Sequence, residues 1–397
     1  MDTNADPATP EPALVRFLAL AAGITVANLY YSQPLLSLMA TSFHLSPAGI
    51  TLMPMVTQIG YALGLLLLLP LGDSHERKHL IVSTTLALSV ALVAVAAASS
   101  VAFLMVASLV LGAVTIIPQL LVPFAATLAP PARRGRVVGT VMSGLLIGII
   151  LSRSISGAAS AYVTWRSIYL GAAVANLALG VALASLLPKQ MPSERLSYPD
   201  LLRSLTGLVW DEPVLRRHMA VGAFGFAAFS IFWTTLIFHA ARLAPDHAAR
   251  LVGVFGLFGV AGALAAPIAG HLSDRIVATW VNGLSLLMVL MGFGVLWRGA
   301  HSLALLALGV VLLDAGVQAS HISNQTRIYN LHPDKRSRLN AAYMTAYFIG
   351  GASGSAVGGL VWSRLHWAGV CAGGALFALC ALVSLFTVGR ETGTVLT

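Results

Sequence analysis

Residues 133–157 read RRGRVVGTVMSGLLIGIILSRSISG, and residues 335–359 read KRSRLNAAYMTAYFIGGASGSAVGG. At an offset of 202, Arg134 meets Arg336, Arg136 meets Arg338, Met142 meets Met344, Gly148 meets Gly350 and Gly157 meets Gly359; Trp165 then meets Trp367. Asp73 meets Asp274 at an offset of 201. Each copy opens on a basic cluster and runs on as an apolar stretch rich in glycine. One unit therefore occurs twice, and the fold follows from the kind of unit it is.

Composition sets that kind. Soluble domains carry about 25% charged residues; this chain carries 9%, with 57% hydrophobic residues and a mean hydropathy of +0.85. A core in water needs a polar exterior to cover it, so the solvent here is lipid. A helix crossing about 30 Å of hydrocarbon needs roughly 20 apolar residues. Twelve runs qualify: 13–39, 48–71, 79–99, 101–129, 136–159, 166–187, 217–239, 249–271, 277–297, 302–326, 339–362 and 367–388. Helices are expected because lipid offers the backbone no hydrogen-bond partner, and frequent glycine suits close helix contact. The fold class is all-α integral membrane, twelve helices as two six-helix halves related by duplication. The halves are 13–187 and 217–388, the linker 188–216, and the tails 1–12 and 389–397.

Twelve spans put both termini on one side, and Arg and Lys decide which side. With the N-terminus inside, the inner segments hold 17 basic residues and the outer segments five, with Arg153 left inside a span. Both termini are therefore expected to be cytoplasmic, in a bacterial inner membrane. The same bias explains the sequence pI of 10.0; no basic stripe with interleaved aromatics points to nucleic acid. The N-terminal MDTNADPATPEPALVRF lacks the basic start of a cleavable signal, so the first span is expected to stay in the mature protein. Cys371 and Cys380, nine residues apart in one apolar run, read as packing residues on opposite helix faces.

A 6+6 duplication, a long central linker and a Gly-x-Leu-x-Asp-Arg loop between spans two and three of each half resemble the major facilitator superfamily over nearly the whole chain. NLYYSQPLL at 28–36, TQIGYALG at 57–64, PLGDSHERK at 70–78 and SNQTRIY at 323–329 are similar to the arabinose-efflux-like or multidrug-efflux-like bacterial permeases. The second loop, with Gly270, Leu272, Asp274 and Arg275, matches the pattern more fully than the first, where Leu69 and Glu76 replace the two glycines. The resemblance implies a cytoplasmic gate formed by Asp73, Arg77, Lys78, Asp274 and Arg275. A carboxylate near a helix N-terminus and charge-assisted bonds at the membrane surface suit a contact that must form and break. Arg77 and Lys78 equally fit a topological anchor, whereas acidic residues contribute little to topology. The span-five antiporter pattern is absent, since Ile149 follows Gly148 and Gly157 stands alone, and Ser108 occupies the position of an expected Arg in span four.

Within the membrane, Asp314 is the only carboxylate deep in a span and Arg153 the only base. A charge there costs about 2.5–3.5 kcal/mol on insertion scales and marks function by default. Gln318, His321 and Gln325 follow Asp314 at i+4, i+7 and i+11, within about 60° of one another on a helix. The resemblance implies that spans one, four, seven and ten line a central cavity, which brings in Asn28, Tyr31, Gln119 and Trp233; span two adds Gln58 and Tyr61. Asn28, Gln58, Gln119 and Gln325 fit scaffold bonds between helices as well as they fit substrate contact. His321 reads as a neutral hydrogen-bonding side chain. Arg153 and Asp314 differ in depth by about 8 Å at 1.5 Å per residue, so they read either as a static pair or as a pair that switches during coupling.

No His-Glu-x-x-His, Gly-x-Ser-x-Gly or Gly-x-x-x-x-Gly-Lys occurs, so the enzyme classes those motifs mark, and ATP drive from this chain, are excluded. The function expected is a secondary transporter, driven by a proton gradient without a cofactor, exporting small neutral or cationic molecules by alternating access. The alternative is a proton-coupled uptake symporter for a small metabolite; an integral-membrane enzyme or a sensor is the reading from another class. The expected partners are a small-molecule substrate, protons and the bilayer, and the family implies a monomer.

Overall fold

The computed structural model describes residues 12–130, 133–190, 198–275, 278–332 and 335–387. Among these residues there are no strands, and eleven helices are long and apolar enough to cross a membrane. The last of them, Arg336–Phe386, is broken at His366, where φ is 51° and ψ −140°. A break of that kind splits it in two, giving twelve spans. Spans one to six are Pro12–Ser42, Pro47–Leu67, Arg77–Ala96, Val101–Leu128, Arg134–Ala159 and Trp165–Leu186. Spans seven to ten are Pro213–Leu243, Pro245–Leu272, Thr279–Arg298 and Leu303–Tyr329, followed by spans eleven (336–365) and twelve (367–387).

Three of these spans are interrupted at mid-depth. Span one is a helix over Pro12–Ala27, a turn, and a second helix over Ser32–Ser42. Span four breaks between Val114 and Ile117, and span eight between Leu257 and Val260. Proline accounts for the first two: Pro34 and Pro118 each lack an N–H and crowd the carbonyl four residues earlier. Span eight has no such proline at its break, but Gly256 and Gly259 stand there.

The duplication seen in the sequence is a duplication of packing. Span one packs on span five, two on four and three on six; span seven packs on eleven, eight on ten and nine on twelve. Glycine makes the matching contacts close. A Cβ at Gly148 would collide with the backbone of Gly23 in span one, and one at Gly350 with the backbone of Ala223 in span seven. Trp165 and Trp367 cap the repeat: their indole N–H groups donate to Ser42 Oγ and to the Leu296 carbonyl, each at 3.0 Å.

The halves meet along two seams. At one, span two meets span eleven, where Gln58 lies against Gly351 and Thr51 against Gly359. At the other, span five meets span eight, where Gly157 abuts Ala249 and Ser154 Oγ donates to the Gly253 carbonyl at 2.8 Å. The outer faces carry exposed Val90, Val174, Val181, Leu284 and Leu379, apolar surface that only lipid would leave without cost.

Inside the segment read as a linker, Tyr198–Asp211 is a helix. Leu201, Leu205 and Leu208 recur at helical spacing and are buried, and Tyr198 Oη donates to the Leu67 carbonyl at 2.8 Å. The helix of span seven already begins at Pro213, four residues before the predicted start.

Candidate transport cavity

A cavity of about 460 Å³ lies between the halves, a size typical of small-molecule sites. Its inner wall carries Arg153 and Asp314. Its other end, lined by Leu69, Ala126, Arg336 and Ser337, approaches the helix Tyr198–Asp211. Toward the opposite end the halves touch at the two seams, Thr51 against Gly359 and Gly157 against Ala249.

The stripe read on span ten is on the cavity wall as a unit: Asp314, Gln318, His321 and Gln325 all line it, joined by Gln119 from span four and Arg153 from span five. Apolar and aromatic groups make up most of the rest, among them Tyr30, Tyr61, Phe226, Phe229, Tyr347 and Phe348.

Arg153 and Asp314 are buried, at 1% and 6% exposure, and no ion pair joins them. Trp233, fully buried, stands between. Its indole Nε1 donates to Asp314 Oδ1 at 3.0 Å, while the Arg153 guanidinium lies 4.0 Å from the ring centroid. The guanidinium also faces the rings of Tyr30 at 4.8 Å and Phe229 at 5.5 Å, and its Nε donates to Gln33 Oε1 at 2.5 Å. Cation–π contacts of a desolvated guanidinium are worth about 2 kcal/mol or more, and they stabilise a buried charge without neutralising it. Thus each charge is held in direct contact by neutral groups, and the two attract one another across the indole without forming a salt bridge. Nη2 of Arg153 has no hydrogen-bond partner. Asp314 Oδ2 faces Gly259, where an added Cβ would lie 3.0 Å away.

The other residues read from the sequence separate into wall and scaffold. His321 Nδ1 lies 3.0 Å from the Tyr343 hydroxyl, and its ring packs tilted against that of Tyr347, with centroids 4.7 Å apart. Gln119 and Gln325 meet at Asn340 of span eleven: Asn340 Nδ2 donates to Gln119 Oε1, and Gln325 Nε2 to Asn340 Oδ1, each at 3.3 Å. Tyr329 Oη donates to the same Oδ1 at 2.8 Å. Gln58 is not on the wall; it donates to Ser355 Oγ at 3.0 Å and accepts from Ser230 Oγ at 3.4 Å, so it joins the halves. Trp233 is likewise behind the wall, in contact with the wall residues Arg153, Asp314 and Phe229.

Asn28 and Tyr31 correct the expectation for span one. Neither lines the cavity; Leu29 and Tyr30 do. Asn28 donates back to the Thr25 carbonyl at 2.9 Å and accepts from Asn176 of span six at 3.4 Å. The cause is the turn over residues 28–31, which breaks the helical phase assumed for the whole span. Gln33, Tyr30, Asn340 and Tyr347 were missed. Gln33 and Tyr30 sit within NLYYSQPLL, and Asn340 within KRSRLN, so each was visible as a polar or aromatic residue beside one already singled out.

Behind span ten, a further polar group joins spans seven, nine and ten. His218 Nδ1 lies 2.6 Å from Asn324 Oδ1, Asn282 Nδ2 donates to that oxygen at 2.7 Å, and Ser320 Oγ donates to Asn282 Oδ1 at 2.7 Å. These bonds satisfy buried polar atoms, as lipid-embedded helices require. Among the described residues no cluster of His, Cys, Asp and Glu could hold a metal ion.

Of the gate residues, the side chains of Asp73, Asp274 and Arg275 lie outside the described residues. Arg77 opens the helix of span three and its Nε donates to the Gly72 carbonyl at 3.1 Å, fixing the loop that precedes it; Lys78 follows on the same turn.

Comparison with known proteins gives the assembly its lineage. The family model described as Major Facilitator Superfamily matches residues 18–244 and 219–395. The uncharacterized transporter YgaY of Escherichia coli O157:H7 is 41% identical over 372 residues, 94% of each chain. A protein named as a transporter, SCO4007 of Streptomyces coelicolor, is 36% identical over 89% of this chain and 83% of its own. Among solved structures, a bacterial homolog of the human lysosomal transporter Spinster, inward-facing and occupied, aligns with a TM-score of 0.73 at 13% identity over 94% and 95% of the chains. The D-xylose-proton symporter aligns with a TM-score of 0.74 at 13% identity, over 93% and 96%; these two likenesses concern the fold alone. The chain belongs to the Major Facilitator Superfamily and is a membrane transporter of that family, not an enzyme.

Proposed function

We propose that this transporter exports small, largely apolar molecules of neutral or positive net charge in exchange for protons, with Asp314 as the group that binds the proton. The observation that carries the reading is the state of Asp314: among the described residues the one carboxylate deep in a span, it sits on the cavity wall, held by Trp233 through one oxygen, with the other turned to Gly259. A carboxylate that is buried but not ion-paired can be neutral or charged according to what else occupies the cavity. A proton and a substrate that both need Asp314 then exclude each other, and exclusion at one alternately exposed site is antiport.

The same reading places the basic linker end, with residues 188–216, on the cytoplasmic side, together with the tails 1–12 and 389–397, in a bacterial inner membrane. The halves 13–187 and 217–388 rock about the cavity in a monomer, and the structure is then the inward-facing state. The gate of Asp73, Arg77, Lys78, Asp274 and Arg275 closes that side in the other state. The proton gradient is the energy source, and no cofactor takes part.

The test uses inverted membrane vesicles holding a pH gradient reported by a fluorescent probe, with wild type and Asp314→Asn compared over a compound panel. Compounds that release protons from wild-type vesicles but not from the variant support the reading. Equal responses place the coupling group elsewhere. A panel without any response removes the exporter and leaves uptake as the reading to pursue.

A further inference from the structure

We infer that the substrate is a zwitterion: an apolar or aromatic molecule bearing a carboxylate for Arg153 and an ammonium for Asp314 at one end. The inference rests on the cavity being the transport site and names the class of molecule it takes.

The reason lies in how the two resident charges are kept apart. Arg153 and Asp314 line one cavity, carry opposite charge and flank the same indole, yet they do not pair. Trp233 presents its ring face to the guanidinium and its N–H to Asp314 Oδ1. Gln33 occupies Nε of Arg153. Both side chains are thereby oriented by neutral partners, and each keeps an atom for a ligand. Arg153 is 99% buried, and its Nη2 has no partner; a buried guanidinium nitrogen left without an acceptor is costly. Oδ2 of Asp314 takes no part in the bond to Trp233, and it packs so close to Gly259 that a Cβ there would lie 3.0 Å from it.

The three possible charge types fare differently at such a site. A simple cation would satisfy Asp314 but place a second positive charge beside a guanidinium that stays protonated. A simple anion would satisfy Nη2 but face the carboxylate. A zwitterion answers both at once, and its carboxylate can engage the guanidinium through charge-assisted bonds. Its body would meet Tyr30, Phe229, Tyr347 and Phe348, which line the same cavity. The net charge of such a ligand is zero, within the class proposed for export. Its ammonium is also the part that would compete with a proton at Asp314.

The experiment is ligand-induced thermal stabilisation of the purified full-length protein in detergent. The probes are phenylalanine, leucine and tryptophan, each compared with its methyl ester, a cation, and its N-acetyl derivative, an anion. The expected result is a raised Tm with one or more free amino acids. Their esters and N-acetyl forms bind about tenfold more weakly or worse, since each lacks one charge-assisted contact. Arg153→Gln should erase the preference over the ester, and Asp314→Asn the preference over the N-acetyl form. Equal or better stabilisation by either single-charge derivative overturns the inference, as does no stabilisation by any of the free amino acids. If a variant fails to elute as a single folded species, the wild-type series alone decides. A zwitterion that binds but evokes no proton release in vesicles upholds the ligand class and refutes proton exchange. Proton release evoked only by cations does the reverse.

Discussion

Trp233 hydrogen-bonds Asp314 through its indole N–H at 3.0 Å and so holds the only deep carboxylate among the described residues while its ring supports Arg153. The two contacts can be separated by mutation. Trp233→Phe keeps a ring face under the guanidinium and deletes the donor; Trp233→Leu deletes both. Transport in the vesicle assay is expected to fall about tenfold in the first, the worth of one hydrogen bond to a charged group. A further loss is expected in the second, from the cation–π contact. Equal rates in Trp233→Phe and wild type would show that the N–H has no part in coupling.

The seam between spans two and eleven depends on the missing side chain of Gly351. A Cβ there would collide with Gln58 Oε1 and the ring of Phe226. Gly351→Ala is expected to unseat Gln58 from Ser355 and Ser230 and to destabilise by about 1–3 kcal/mol. Because Gln58 is one of the groups displaced, Gln58→Ala should cost less in that background than in wild type. A double-mutant cycle read by thermal unfolding measures the difference; strict additivity would mean that the two positions do not share a contact.

Glycines of the repeat differ in what their absence of a side chain serves. Gly148 and Gly350 each lie against the backbone of a facing span, whereas nothing approaches within 4 Å of a Cβ placed at Gly139. Gly148→Ala and Gly350→Ala should each lower Tm, by similar amounts, as the duplication requires. Gly139→Ala, a change to a better helix former in an open place, should be neutral or stabilising by up to about 1 kcal/mol. Similar losses at all three positions would contradict the close-packing account.

The helix Tyr198–Asp211 is held by Leu201, Leu205 and Leu208. Leu205→Asp buries a charge on that face and is expected to release the helix. Trypsin should then cut faster at Arg203, with little change in the unfolding of the spans. Unchanged cleavage would show that other contacts hold the helix in place.

The membrane class, the twelve spans and the duplication are legible in the residues alone, because lipid imposes one requirement on every residue of a span and repeats leave matched side chains. The sequence also placed Asp314, Gln318, His321 and Gln325 on a common face, since span ten is an unbroken helix over Leu303–Tyr329 and its phase is fixed. It could not carry that phase through span one, where the turn ahead of Pro34 moves Asn28 toward span six and brings Tyr30 to the cavity. That Arg153 and Asp314 form no salt bridge emerges from the packing of three spans. Their separation depends on an indole from a third span, 80 residues from one and 81 from the other in the chain, and helical periodicity says nothing about which side chain of one helix enters the space between two others.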